Sequence, residues 1–269
     1  MKYWRKYNGA IISDVPPHID MTNTEEQVCS LIKENKVLFA RWQSDFDCNQ
    51  KTGFWFVIND MPMELNDYDI KTRNKIRKGL KECDVKPITK NDLVDYGYEV
   101  YFSAFNNYKT YLKAKTKKEY IQEIIITPDF WEYWGVFNNN KLIAYCKVMI
   151  AGNYAEYRST KFHPDFLKCR PSEALIYTMN RNYLNDRNFN YVNNGARSIS
   201  HTTNFPDFLI RKFKFRKAYC RLNIKYNIYF GIIIKIIYPF MSLFRLVNFG
   251  IFRQINILLQ QESIYRSFK

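Results

Sequence analysis

The stretch from Leu142 to Lys217 most constrains how this chain can fold. It opens with LIAYCKVMIAGNYAEYRSTKF, an apolar run that reads as two strands joined at Gly152-Asn153. A polar loop, HPDFLKCRPSEA, follows and runs into an amphipathic segment, SEALIYTMNRNYL. NFNYVNNGA then reads as another strand, and HTTNFPDFLIRKFKFRKAY as a helix entering a basic strand. Two antiparallel strands, a loop, a helix, a strand, a helix and a strand call for a sheet with helices packed on it.

The chain before this stretch adds compatible pieces. Residues 1–20 read as an extended arm ending at Pro16-Pro17. Thr24 with Gln27 three positions on looks like a helix start. VLFARW (37–42) and FWFVI (54–58) are strand candidates, rich in aromatic and β-branched residues. Residues 69–83 read as a helix with a narrow apolar stripe, Ile76, Leu80 and Cys83. VKPIT (85–89) is a short strand, and residues 91–108 form an amphipathic helix. A further helix ends at Thr127-Pro128. WEYWGVFNNNKLIAYCKVMI reads as a hairpin turning at Asn138-Asn139-Asn140, residues that tolerate positive φ.

Charge is the next constraint. Of 269 residues, 41 are Lys or Arg and 26 Asp or Glu, a net +15 that would draw anions such as nucleic acid, phosphates or anionic headgroups. The helix at 69–83 concentrates this, with Lys71, Arg73, Lys75, Arg77, Lys78 and Lys81 around its stripe. The alternative for each is a solvated face. The six cysteines form no CxxC and meet only three histidines, so no zinc spacing and no metal site is expected. Cys146 falls inside an apolar strand, as a small buried hydrophobe does. The apolar run near the N-terminus is too short and mixed for a signal peptide. Together these point to a reducing, cytoplasmic setting.

The order of elements resembles the Gcn5-related N-acetyltransferase (GNAT) superfamily, in its FemAB-like branch. Four pieces carry this: RNKIRKGLKECDV (73–85), the hairpins of WGVFNNNKLIAYCKVMIAGNYAEYRST, the unit HPDFLKCRPSEALIYTMNRNYLNDRNFNYVNNGA, and NFPDFLIRKFKFRKAY. In the last, Lys214-Phe215 stands where such proteins often have Gly-Phe. The resemblance implies an α/β fold, a mixed, mostly antiparallel twisted sheet flanked by helices. It divides the chain into an N-terminal arm and helix (1–34), the acyltransferase domain (35–225) and a C-terminal helical extension (226–269). It also implies transfer of an acyl group from acetyl-CoA or another acyl-CoA to an amino group of a cell-envelope or polysaccharide precursor, an amino-sugar or lipid-linked molecule. The alternatives are an aminoacyl-tRNA-dependent ligase, which makes tRNA a partner, and a non-enzymatic membrane-associated binding module.

The implied donor loop departs from the family pattern Q/R-x-x-G-x-G/A. It reads Cys169-Arg170-Pro171-Ser172-Glu173-Ala174, with Ala174 fitting the last position and Ser172 replacing the first glycine. Lys168 and Arg170 supply cations and the following helix supplies N–H groups, whereas Glu173 would oppose phosphate. Lys168, Arg170, Ser172 and Ala174 are therefore the donor-binding candidates. Acyl transfer to an amine needs a base, an oxyanion donor and an acid for the leaving group. Glu156 could be the base, or an outward-facing strand carboxylate. His163 could serve instead, or be a turn residue before proline. Tyr183 could be the acid, or a core residue on the stripe of Leu175 and Met179. Asn194, before Gly195, and His201 are candidates for binding substrate.

Residues 228–261 are densely apolar but interrupted by Lys235, Pro239, Arg245 and Arg253. A spanning helix needs about 20 uninterrupted apolar residues. The segment suits either an anionic membrane surface, placing the protein peripherally on the inner face, or helices packed on the domain or forming a dimer contact.

Overall fold

In the computed structural model, residues 4–21, 25–108, 113–199, 204–244, 246–247 and 249–268 are described. In chain order the elements are β1 (Trp4–Tyr7), β2 (Ala10–Ser13), α1 (Glu25–Asn35), β3 (Phe39–Ser44), β4 (Phe54–Asn59), α2 (Ile70–Glu82) and β5 (Asp84–Ile88). Next come α3 (Lys90–Asn106), α4 (Lys117–Ile125), β6 (Trp131–Asn138), β7 (Lys141–Ile150), β8 (Tyr154–Phe162) and α5 (Pro171–Asn180). The chain closes with β9 (Tyr191–Ala196), α6 (Phe205–Phe213), β10 (Arg216–Tyr226), α7 (Ile228–Ile237), α8 (Met241–Phe244) and α9 (Gly250–Tyr265). A π-helical stretch, Arg181–Asp186, continues α5. The architecture is mixed α/β, as the element order implies.

Two compact units form. The first takes Met1–Val57, Ala196–Asn204 and Lys217–Lys269; the second takes Ile58–Gly195 and Phe205–Arg216. In the first unit the strand order is β1-β2-β3-β10-β4. β1 and β2 are antiparallel, β2 and β3 parallel, β3 and β10 antiparallel. The extended arm expected at the N-terminus is a hairpin instead: Asn8 and Gly9 take φ of 46° and 76°, the pair a two-residue hairpin turn prefers. The Thr24 cap lies outside the described residues. Trp4, Ile11, Val28, Ile32, Val37 and Ala40 form one buried cluster of this unit. In another, Phe39, Phe54, Leu222 and Ile224 meet Ile264 of α9.

In the second unit the order is β9-β8-β7-β6-β5. Asn139 and Asn140, at φ 48° and 62°, close the β6–β7 hairpin, and Gly152, at φ 59°, closes β7 onto β8. β8 then pairs with β9 in parallel, Tyr154↔Tyr191 through Glu156↔Asn193. The two sheet faces are covered separately. α3 and α4 bury Leu93, Val100, Tyr101, Tyr120 and Ile124 against Tyr133, Leu142 and Tyr145. α5 takes the other face, where the Tyr157 hydroxyl donates to Asn180 Oδ1 at 2.8 Å. Capping boxes at Thr89–Asp92 and Thr116–Glu119 fix where α3 and α4 begin.

One ion pair ties α4 to β7. Lys147 Nζ lies 2.6 Å from Glu123 Oε1, and Lys115 also pairs with Glu123. Burial pushes the Glu123 carboxyl up, but the two ammonium groups outweigh it, so it lies below its ordinary value. A depressed carboxyl stabilises the fold above its unfolded value near 4.5, and that stability is lost as pH falls through the folded value. Glu123→Gln leaves the Lys147 ammonium buried and should cost about 2–3 kcal/mol at neutral pH, below a fully buried pair because Glu123 is partly exposed. In urea denaturation, the gap between wild type and Glu123→Gln should narrow from about pH 6 to about pH 3.

Candidate functional site

β8 and β9 share a short parallel ladder. It covers three positions, after which β8 runs on to Phe162 paired with β7 alone. A bulge between Lys147 and Val148 of β7 accompanies the change in β8. Near the end of β9, Gly195 takes a φ of 86°, which suits glycine, and its N–H donates to Asn193 Oδ1 at 2.8 Å. A parallel strand leaving its neighbour presents N–H and C=O groups along its edge, which suits an extended chain carrying amide groups.

At the last paired position sits a buried polar network. The Tyr154 hydroxyl donates to Glu156 Oε2 at 2.6 Å and accepts from Asn193 Nδ2 at 3.0 Å. Arg158 Nε lies 3.0 Å from Glu156 Oε1, and the Glu156 side chain is only 12% exposed. Burial first, and the Glu156 charge second, raise the Tyr154 phenol well above its ordinary value. It therefore stays a donor and aims the carboxylate. Glu156 shares a sheet face with Lys147 and the α3–α4 core, since side chains alternate along a strand.

The other candidates lie apart. Tyr183 sits on the α5 face, its ring 6.2 Å from that of Tyr157, the neighbour pointing away from Glu156. Its hydroxyl donates to Glu132 Oε2 at 2.8 Å and accepts from Trp134 Nε1 at 2.9 Å. Burial, then the Glu132 charge, raise this phenol far above its ordinary value. His163 is buried beyond the end of β8. Its Nδ1 accepts the Asp165 N–H at 3.4 Å, capping the turn Pro164–Cys169, and its Nε2 lies 3.8 Å from Glu99. Asn194 is half-buried on β9, and His201 lies outside the described residues. Glu156 thus comes together with Asn193; Asn194, the next residue on β9, points to the opposite face, and Tyr183 and His163 do not join the network.

Tyr154, Asn193 and Arg158 are the residues the sequence reading missed. The signal was parity. Tyr191 and Asn193 face the same way, and the Tyr191 ring packs 4.9 Å from that of Tyr154, so Asn193 rather than Asn194 faces Glu156. A second polar cluster was also unread. Arg187 Nη1 donates to both Glu132 oxygens at 2.8 Å. That pair borders a cavity of about 490 Å³ with Ile88, Lys90, Trp131 and Trp134 on the β5–β6 side, and none of the sequence candidates lines it.

The donor-loop candidates hold a specific geometry. Arg170 takes φ 60° and ψ 43°, ending the turn and starting α5. Pro171 has no N–H, and the Ala174 N–H bonds back to the Arg170 carbonyl at 3.2 Å. The N–H groups of Ser172 and Glu173 have no intrahelical acceptor. Yet a carboxylate already occupies this turn. Glu173 is 6% exposed, accepts the Ser172 hydroxyl at 2.7 Å and lies 3.9 Å from Arg170 Nη1. Lys168 is exposed nearby. α2 crosses close against the same turn: a Cβ at Gly79 would come 2.6 Å from the Arg170 carbonyl and 3.0 Å from Ala174 Cβ. Gly79→Ala should therefore destabilise by about 1–2 kcal/mol, overpacking outweighing the helix propensity gained. Thermal melting checks it, and an equal or higher melting temperature would show that the helices can separate.

No family model and no curated protein matches the sequence. Among solved structures, the chain is similar to FemX at 11% identity, covering 80% of this chain and 81% of that one, with a TM-score of 0.53. It is also similar to L-PGS from Bacillus licheniformis, at 13% identity over 98% of this chain and 85% of that one, with a TM-score of 0.48. The ribosomal-protein-S18-alanine N-acetyltransferase from Escherichia coli is similar over 36% of this chain and 56% of that one, at 12% identity and a TM-score of 0.29. The likeness to FemX is one of fold: this chain has an α/β fold similar to that of FemX.

Proposed function

We propose that this protein transfers an acyl group directly from its donor to an amino group of a cell-envelope or surface-polysaccharide precursor. The observation that carries this is the Tyr154–Glu156–Asn193 network, buried where β8 leaves β9. There Glu156 is oriented to take the amine proton, directly or through a water. Strand N–H groups along the parting edge are the candidate oxyanion donors. A thiolate nucleophile fits poorly at Cys83 and Cys146, the latter on β7 beside β8. Burial raises the Cys83 thiol to about 11 and the Cys146 thiol to about 12, so little thiolate exists at neutral pH.

Of the two donors, the loop geometry supports aminoacyl-tRNA better than acyl-CoA. A pyrophosphate on the α5 N-terminus would sit against the buried Glu173 carboxylate. Beside that turn, α2 buries Thr72, Ile76 and Gly79 and leaves Lys71, Arg77, Lys78 and Lys81 exposed. Such a row suits a polyphosphate backbone.

Two measurements test the proposal. Glu156→Gln should leave donor affinity unchanged and lower kcat by about 10²–10⁴. Unchanged turnover would remove Glu156 as the base. For the donor, titration with an aminoacyl-tRNA across a salt series should give a slope of log K on log salt of roughly −3, four cations on single-stranded phosphates. Tight binding of acetyl-CoA with a shallow slope and no tRNA affinity would favour the acyl-CoA reading.

A further inference from the structure

α7 is apolar on both sides. Inwardly, Phe230 stacks on Phe39 with ring centroids 6.4 Å apart, and Ile234 is 1% exposed. Outwardly, Ile228, Tyr229, Ile232, Ile233 and Ile236 fall within one arc of the helix and are 50–80% exposed. The chain continues the same character through Phe240, Leu243, Leu246 and Phe249, each 53–82% exposed. An all-round apolar helix is normally buried or in lipid, and an exposed apolar patch of this extent marks an interaction site. Asn227 caps α7, accepting the Tyr229 N–H at 3.1 Å, so the helix begins at a defined point.

The charge around this face identifies what covers it. From Phe208 to Gln261 the sequence has no Asp or Glu and ten Lys or Arg. Lys235 is exposed at the edge of the α7 apolar arc, next to Ile228 and Ile232 around the helix. Its stem can follow the apolar surface while its ammonium reaches outward. A second copy of this chain would set such cations against one another, with no carboxylate of the segment to pair them. Anionic lipid meets both demands, acyl boundary for the isoleucines and phosphate for the lysine. α7 is 10 residues long, about 15 Å, half the hydrocarbon thickness of about 30 Å. Among the described residues no helix is long and apolar enough to cross a membrane.

We propose that the outer face of α7, with Phe240, Leu243, Leu246 and Phe249 beyond it, forms a binding surface for anionic lipid headgroups and their acyl boundary, with α7 lying in the membrane plane. The inference is independent of the transfer reaction and of its donor.

Co-sedimentation of the full chain with vesicles tests it. The wild type should pellet with an equimolar mixture of phosphatidylcholine and phosphatidylglycerol, and at least about tenfold less with phosphatidylcholine alone. Ile232→Asp/Ile236→Asp should abolish pelleting while leaving the circular-dichroism melt unchanged, because both side chains already face solvent. Lys235→Glu should weaken binding at least about fivefold, the loss expected for one interfacial cation. Equal binding to neutral vesicles, or no binding to either kind, would overturn the proposal. So would a dimer in sedimentation velocity that Ile232→Asp/Ile236→Asp returns to monomer without any vesicle affinity.

Discussion

The Tyr154 hydroxyl ties β8 to β9 at the last position where the two strands pair. A buried phenol that donates to a carboxylate and accepts from an amide leaves little freedom to any of the three. Leaving one member without a partner would cost more than a surface bond is worth, because desolvation has already been met for all. The geometry downstream follows from this clamp. Asn193, held in the network, also accepts the Gly195 N–H on its Oδ1, where the backbone takes a positive φ. The edge of β8 beyond Glu156 is aimed by the same fixed point.

The sheet's pleat then separates the second unit's two polar centres. Glu156 belongs to the face covered by α3 and α4, where Glu123 and Lys147 also meet. Glu132, Tyr183 and Arg187 belong to the face covered by α5 and its π-helical continuation. Two carboxylates a few strands apart therefore act in different surroundings. One is aimed by a phenol at a strand parting. The other is gripped by a guanidinium beside a cavity. Tyr183 is drawn into the second centre by its bonds to Glu132 and Trp134, which accounts for its distance in role from Glu156.

Much of the fold was legible because its signals are local. The asparagine turn at 139–140, the break at Gly152 and the helix at 70–82 stand where the residue types place them. Lys214, which the sequence resemblance set where a glycine is common, takes φ 58°, a conformation that glycine would adopt without strain. Asn8-Gly9 carried an equally local hairpin signal that the reading as an extended arm passed over. The site was less legible because its partners are set by register. Choosing between Asn193 and Asn194 requires knowing that β9 pairs with β8 at Tyr191, which no window of sequence contains. Glu173 was visible as a carboxylate opposed to phosphate. Its burial under Ser172 and beside Arg170 depends on where α2 crosses, and so on Gly79, ninety-four positions earlier.

Charge in this chain is sorted by element rather than spread. On α2 the buried positions are small or apolar, and the cations occupy the rest of the helix. The α5 turn beside it carries its own buried carboxylate. A buried carboxylate at a helix N-terminus is stabilised by the dipole, and by being there it removes the place a second anion would take. A phosphate that approaches this region then gains from the α2 cations and not from the helix end. The same reasoning separates α2 from α7. Both are basic in their surroundings, but α2 offers cations around the buried positions Thr72, Ile76 and Gly79, with Leu80 of the expected stripe exposed, whereas α7 offers a wide apolar arc with a cation at its edge. Polyphosphate needs the first arrangement and gains nothing from exposed isoleucine. A lipid boundary needs the second, because apolar area sets how deep the helix sits and the cation only chooses the headgroup.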